Sequence, residues 1–163
     1  MKCLNCDYEQ SLKREVRNIK YDECGLDNVT LVGVEYHRCP NCGEEYFGYP
    51  KIDQLHSVIA KALILKKNPL RGNEFRFLRK YLGFSRDVFA KRIDRVSETI
   101  SRYETGEREI PKDLDILMRS LVAIKTPDRD YDFHEIFVEH GSKKETKSLI
   151  KIKAVDSEWQ LAS

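Results

Sequence analysis

The sequence predicts an α+β protein: a small β-rich N-terminal module joined to an all-α domain, with a short C-terminal extension. Three observations predict it. Two Cys-x-x-Cys pairs, in MKCLNCD (1–7) and RCPNCGE (38–44), bracket a stretch in which apolar and polar residues alternate. From Ile52 onward the alternation gives way to helical spacing. Beyond Pro69, glycine, serine and proline recur where helices end and begin. The chain therefore divides into a module over 1–50, a linker helix and hinge over 51–70, a helical domain over 71–125 and an extension over 126–163.

In the module, VTLVGVEYHR (29–38) alternates and reads as a strand that runs into the second cysteine pair. KREVRNIKY (13–21) reads as a weaker strand before it. The two-residue spacing within Cys3/Cys6 and Cys39/Cys42 lets each pair reach one ion, and Gly43 permits the tight turn behind the second pair. Four thiolates make a closed tetrahedral site of the kind that holds one structural zinc ion per chain. The 32 residues between the pairs exceed the roughly 15–20 of the commonest spacing, leaving room for a small antiparallel sheet. His37 reads as a strand residue, since the tetrathiolate is complete without it, and Cys24 as a turn cysteine. Zinc binding would supply folding free energy that 50 residues cannot draw from their own core.

Composition bounds the partners. The chain has 163 residues, 40% apolar and 34% charged, which allows modest cores. No apolar run approaches the roughly 20 residues of a membrane span, and MKCLNCDYEQ has no signal-peptide pattern. The expected compartment is the cytoplasm, where cysteines stay reduced and pairs of them point to metal. Net charge is only +2 but uneven. Residues 1–50 carry six Lys/Arg against nine Asp/Glu, whereas 71–125 carry thirteen against nine. A basic middle between acidic ends assigns a polyanion to the middle and a protein partner to the acidic module.

IDQLHSVIAKALILK (52–66) has the spacing of an amphipathic helix, with His56 on it, and KKNPLRGN (66–73) breaks it. Phe75, Leu78 and Leu82 then define a helix that ends at Gly83. Ser85 caps the next, whose Val88, Phe89, Ala90 and Ile93 face inward and whose Arg86, Lys91 and Arg92 face outward. Ser97 caps a third helix that stops at Gly106, with Ile100 and Tyr103 inward and Glu98, Thr99, Ser101 and Arg102 outward. A fourth starts at Pro111 and carries a stripe of Leu114, Leu117 and Leu121. Two short helices joined by a tight turn, the second presenting small polar and basic residues, describe a helix-turn-helix that reads double-stranded DNA. Arg102 is the candidate for bidentate contact to guanine. Ser85, Arg86, Thr105 and Arg108 stand where helix ends and the following loop approach phosphates. A symmetric homodimer would set two such helices about 34 Å apart.

LGFSRDVFAKRIDRVSETISRYETGEREIP resembles the helix-turn-helix of Cro/XRE-type repressors. The order of two CxxC knuckles, strands, linker and this motif resembles the MqsA antitoxin family with its YgiT-type zinc finger, over residues 1–50 and about 70–125. The resemblance implies a dimeric autorepressor that is the antitoxin of a type II toxin–antitoxin pair. It implies a zinc module that binds the toxin and a helical domain that binds a palindromic operator in the operon's promoter. Cys3, Cys6, Cys39 and Cys42 take the place of the zinc ligands, and Ser97, Glu98 and Arg102 fall where such helices touch bases. Glu98 departs from the family's asparagine, so the operator sequence does not carry over.

In the extension, DFHEIFVEH reads as a short helix, with His134 and His140 as weak metal candidates, and SLIKIKAV as an edge strand. No nucleophile–base–orienter set is visible, so no enzymatic activity is expected. The alternative function is a stand-alone zinc-containing regulator from a phage or mobile element, without a toxin.

Overall fold

The computed structural model describes residues 2–9, 12–126, 148–156 and 158–162. It is α+β, as the sequence predicts. Strands β1 (Lys13–Lys20), β2 (Val29–Arg38) and β3 (Glu45–Phe47) precede helices α1 (Ile52–Ile64), α2 (Gly72–Tyr81), α3 (Arg86–Arg92), α4 (Ser97–Thr105) and α5 (Lys112–Lys125). Strands β4 (Ile150–Val155) and β5 (Glu158–Leu161) follow. The DFHEIFVEH segment, with His134 and His140, lies outside the described residues.

The sheet is organised around β2. β1 pairs antiparallel along one edge, and a bulge between Arg17 and Ile19 shifts its register. The bulge is stabilised by Gly33, whose backbone is left-handed (φ +68) and whose N–H donates to Asn18 Oδ1 at 3.0 Å. It keeps Val34 on the buried side that Val29 and Leu31 already occupy. The other edge of β2 takes β4 in parallel, from Val29↔Ile150 to Val32↔Lys153, and β3 antiparallel, from Tyr36↔Phe47 to Arg38↔Glu45. β5 pairs antiparallel with β4. SLIKIKAV is thus an interior strand, not the edge strand its alternation suggests. The alternation is real: Ile150 and Ile152 are buried while Lys151 and Lys153 are exposed. Alternation reports that one face is covered; it does not report how many edges are paired.

The covered face continues into the helices. Val29, Leu31, Val34, Ile150, Ile152 and Trp159 join one apolar cluster with Leu55, Ile59 and Leu63 of α1 and with Phe75, Phe89, Ile100 and Met118 beyond it. Trp159 is tied down twice: its Nε1–H donates to the Pro50 carbonyl at 2.6 Å and its N–H to Gln54 Oε1 at 3.2 Å. The segment between α1 and α2 is held by α5. Arg119, only 1% exposed, donates to the carbonyls of Ile64, Lys66 and Asn68 at 2.7–2.9 Å and to Asp115 at 2.5 Å. Asp115 in turn accepts from the Leu70 N–H at 2.7 Å. A second link crosses from the β1–β2 loop to α2, where Asp27 accepts from Arg71 at 2.8 Å. His56 on α1 meets the Tyr21 hydroxyl at 3.0 Å, and burial pushes the His56 pKa below its usual value.

Within the helices three local expectations change. Val96, not Ser97, occupies the N-cap of α4, because the Ser97 hydroxyl is engaged by Asp87 of α3. Val88 lies 46% exposed and Leu117 39% exposed, although both were expected inward. Met118 and Val122, one residue round from Leu117 and Leu121, fill the interior instead. Ser85 does cap α3, accepting from the Val88 N–H at 3.2 Å.

Candidate metal centre and candidate nucleic-acid interface

The two knuckles fold alike. In each, the first cysteine donates its N–H to a carbonyl five residues on, Cys3 to Tyr8 at 3.1 Å and Cys39 to Glu44 at 2.8 Å. Each also accepts from the N–H four residues on, from Asp7 at 3.1 Å and from Gly43 at 2.9 Å. The equivalent positions Asp7 and Gly43 both have positive φ, +54 and +77. Glycine takes that conformation freely, and aspartate is among the few side chains that tolerate it.

These turns bring Cys3, Cys6, Cys39 and Cys42 together, with all four sulfurs within 4.8 Å of one another. Cys3 Sγ lies 3.6 Å from Cys42 Sγ, and Cys6 Sγ 3.7 Å from Cys39 Sγ. A tetrahedron with metal–sulfur bonds of about 2.3 Å has edges of about 3.8 Å. The set therefore fits a single ion bound by all four sulfurs, and its soft donors suit a thiophilic metal. Among the described residues it is the only such cluster of His, Cys, Asp and Glu.

The shell around the sulfurs is reciprocal too. Asn5 donates to Cys42 Sγ at 3.8 Å, and Asn41 donates to Cys6 Sγ at 3.5 Å. Each knuckle's asparagine thus supports the second cysteine of the other. The Tyr46 hydroxyl lies 3.1 Å from Cys3 Sγ and accepts from the Leu4 N–H at 2.9 Å. The Tyr46 hydrogen bond is the main reason the Cys3 thiol is lowered to about 6, and Asn41 is the main reason Cys6 is lowered. Cys42 is raised to about 11: the Glu44 amide lowers it, but burial and the neighbouring sulfurs outweigh that. Such donors stabilise thiolate, the form a metal binds. The asparagines are legible in the sequence, since CLNC and CPNC carry one at the same place. Tyr46 is not, because only the β2–β3 pairing brings it across. His37 sits in β2 beside Tyr46 of β3 and outside the cluster. Cys24 lies in a turn, with its Sγ 3.5 Å from the Tyr21 carbonyl, away from the four.

The second candidate site lies on α3 and α4. Glu98, Arg102 and Thr105 are exposed and fall at i, i+4 and i+7 of α4, one face of the helix. Thr99 and Ser101 beside them are half-buried. Gly106 ends α4 with left-handed backbone, and the chain folds back so that the Arg108 N–H donates to the Arg102 carbonyl at 3.1 Å. The exposed Arg108 guanidinium stands 5.7 Å from the Tyr103 ring centre. Ser85 is exposed at the start of α3. Four of the expected residues have partners inside the chain: the Ser85 hydroxyl caps α3, and the Thr105 hydroxyl donates to the Arg102 carbonyl at 3.3 Å. Ser97 is bonded to Asp87, and Arg86 contacts Glu104 at 3.3 Å. Glu104 is the hub of this region: almost fully buried, it also binds Arg79 of α2 at 2.5 Å. Arg79 reaches on to the Phe84 carbonyl at 2.5 Å. One carboxylate thereby fixes α2, α3 and α4 relative to one another, a role the outward-facing pattern of the sequence gives no hint of.

Neither the family models nor the curated proteins nor the solved structures compared with this chain include a match to it. No helix among the described residues is long and apolar enough to cross a membrane.

Proposed function

We propose that the chain is a sequence-specific DNA-binding repressor whose four cysteines hold one structural zinc ion, and that it serves as the antitoxin of a type II toxin–antitoxin pair. The observation that carries this reading is the rigid α2–α3–α4 unit, clamped by Glu104, which presents Arg102 on an exposed helix face. A recognition helix must be held without play if its side chains are to discriminate bases. In this reading Arg102 reads guanine, Glu98 and Thr99 sample neighbouring positions, and Ser85, Thr105 and Arg108 contact phosphates. Arg86 must then serve DNA with whatever hydrogen-bonding capacity Glu104 leaves it.

Dimerisation has a candidate seam. Leu117, Leu121 and Ile124 lie at i, i+4 and i+7 on α5, and Leu117 and Ile124 are exposed, the latter by 71%. A stripe of this kind suits self-association about a twofold axis. The tetrathiolate set supports zinc, since it offers a closed site with no position left for water or substrate. The antitoxin role rests on the order of motifs that resembles MqsA and on the acidic balance of residues 1–50, which favours a protein partner over nucleic acid.

The test is co-purification. The zinc-loaded full chain, tagged and co-expressed with the product of the adjacent gene, is expected to retain that protein as a stable complex and to relieve its toxicity. Failure to retain it, with binding to the chain's own promoter intact, would reject the antitoxin role and leave a stand-alone regulator.

A further inference from the structure

β3 and β4 occupy the same edge of β2, one beyond the other, and do not meet. β4 pairs with Val29–Val32 and β3 with Tyr36–Arg38. Among the described residues no strand lies beside Gly33, Val34 and Glu35 on that edge, while β1 pairs with Val34 and Glu35 on the opposite edge. Strand alternation fixes which main-chain groups face the gap. The Cys39 N–H donates to the Glu44 carbonyl on the β3 side, so the same groups of His37 and Glu35 turn that way as well. His37 meets Tyr46 of β3; no strand among the described residues pairs with Glu35 on that side, because β3 has already ended.

A cleft of about 480 Å³ opens over this gap. Its walls are Val34, Pro50, Ala154 and Trp159, and its rim carries the carboxylates of Glu35 and Asp156. The volume is in the range of sites that take a small ligand or a few residues of peptide. Glycines stand on two sides, and a Cβ added to Gly33 or Gly48 would meet no atom within 4 Å. Among the described residues the approach to the strand edge is therefore clear. Glu35 is paired with Arg14, whereas Asp156 has no ion-pair partner among the described residues.

We infer that the gap between β3 and β4 is a docking site for a short extended segment of a partner protein that carries a basic residue. The segment adds main-chain hydrogen bonds at Glu35, as in strand addition to an open sheet edge. Alternate side chains pack on Val34, Ala154 and Trp159, and the basic residue meets Asp156. The Asp156 carboxylate on the rim selects a cationic residue over an anionic one at that position. The inference goes beyond the DNA-binding reading and holds whether or not the partner is a toxin.

The test uses the metal-loaded full chain and a displayed library of random heptapeptides, selected on wild type and screened against two variants. Gly48→Leu fills the cleft from a position with free space around it. Asp156→Asn removes the charge while keeping a residue suited to the positive φ found there, +49. The expected result is a set of alternating sequences carrying Lys or Arg that lose about tenfold or more in affinity for Gly48→Leu and several-fold for Asp156→Asn. The backbone amide resonances of Val34 and Glu35 should shift on titration with a selected peptide. Circular dichroism and metal content confirm that both variants are folded. Three outcomes would overturn the inference: no peptide that distinguishes wild type from Gly48→Leu, binders without a basic residue, or amide shifts confined to the free edges of β1 or β5.

Discussion

Tyr46 illustrates how one side chain serves two knuckles. Its hydroxyl accepts from the Leu4 N–H in the first knuckle and lies within hydrogen-bonding distance of Cys3 Sγ, while its own strand runs out of the second. Partners of this kind orient metal ligands, and losing one typically costs about 10- to 100-fold in metal affinity. Tyr46→Phe keeps the ring and removes the hydroxyl, so it should weaken metal binding by that order without unfolding the sheet. Competition with a chromophoric chelator measures it; unchanged affinity would show that the hydroxyl is dispensable. The sulfurs themselves were fully legible in the sequence, because a Cys-x-x-Cys pair fixes local geometry whatever the rest of the fold does. The asparagine shell was present in the two knuckles but carries meaning only once they face each other. Tyr46 was not legible at all, since its role depends on the pairing of β2 with β3.

At the scale of elements, the helices are set by close approach and by buried charge. Gly72 begins α2 directly over the end of α4: a Cβ there would lie 2.4 Å from the Tyr103 carbonyl oxygen and 2.7 Å from that of Glu104. The obstructing atoms are backbone, so they cannot swing aside. Gly72→Ala should therefore destabilise the protein by about 1–3 kcal/mol, the usual cost of overpacking, despite the better helix propensity of alanine. Chemical denaturation monitored by circular dichroism measures this, and a neutral or stabilising result would mean that α2 and α4 separate without cost. The boundaries of α2 to α5 were readable because caps and stop signals are local: Ser85 caps, Gly83 and Gly106 take positive φ, and Pro111 precedes α5. Facing was less readable. On α5 two adjacent apolar stripes compete, and the one beginning Leu114–Met118–Val122 is buried because Asp115 and Arg119 beside it bind the carbonyls and N–H of residues 64–70. A charged pair at i and i+4 reads as a solvated face in sequence, and only the chain it captures reveals it as interior.

At the scale of the whole molecule, the two ends of the chain build one sheet, and that sheet shares its core with the helices. The parallel pairing of β2 with β4 spans all five helices in the sequence. No local pattern encodes a partner more than a hundred residues away, which is why SLIKIKAV could be read as a strand but not placed. The consequence is a sheet that carries the four-cysteine cluster and is tied to the helices through specific hydrogen bonds of Trp159 and Arg71. The strands and helices that carry the two proposed surfaces share that core.

The central claim is that the α4 face reads DNA, and fluorescence anisotropy tests it most directly. The metal-loaded full chain would be titrated against a labelled duplex from its own promoter and against a scrambled duplex, at several salt concentrations. The account predicts tight, salt-dependent binding that prefers the promoter, and an Arg102→Ala variant that remains folded but loses about 1–3 kcal/mol of that preference per half-site. An Arg102→Ala variant that binds the promoter as tightly and as selectively as wild type would contradict it.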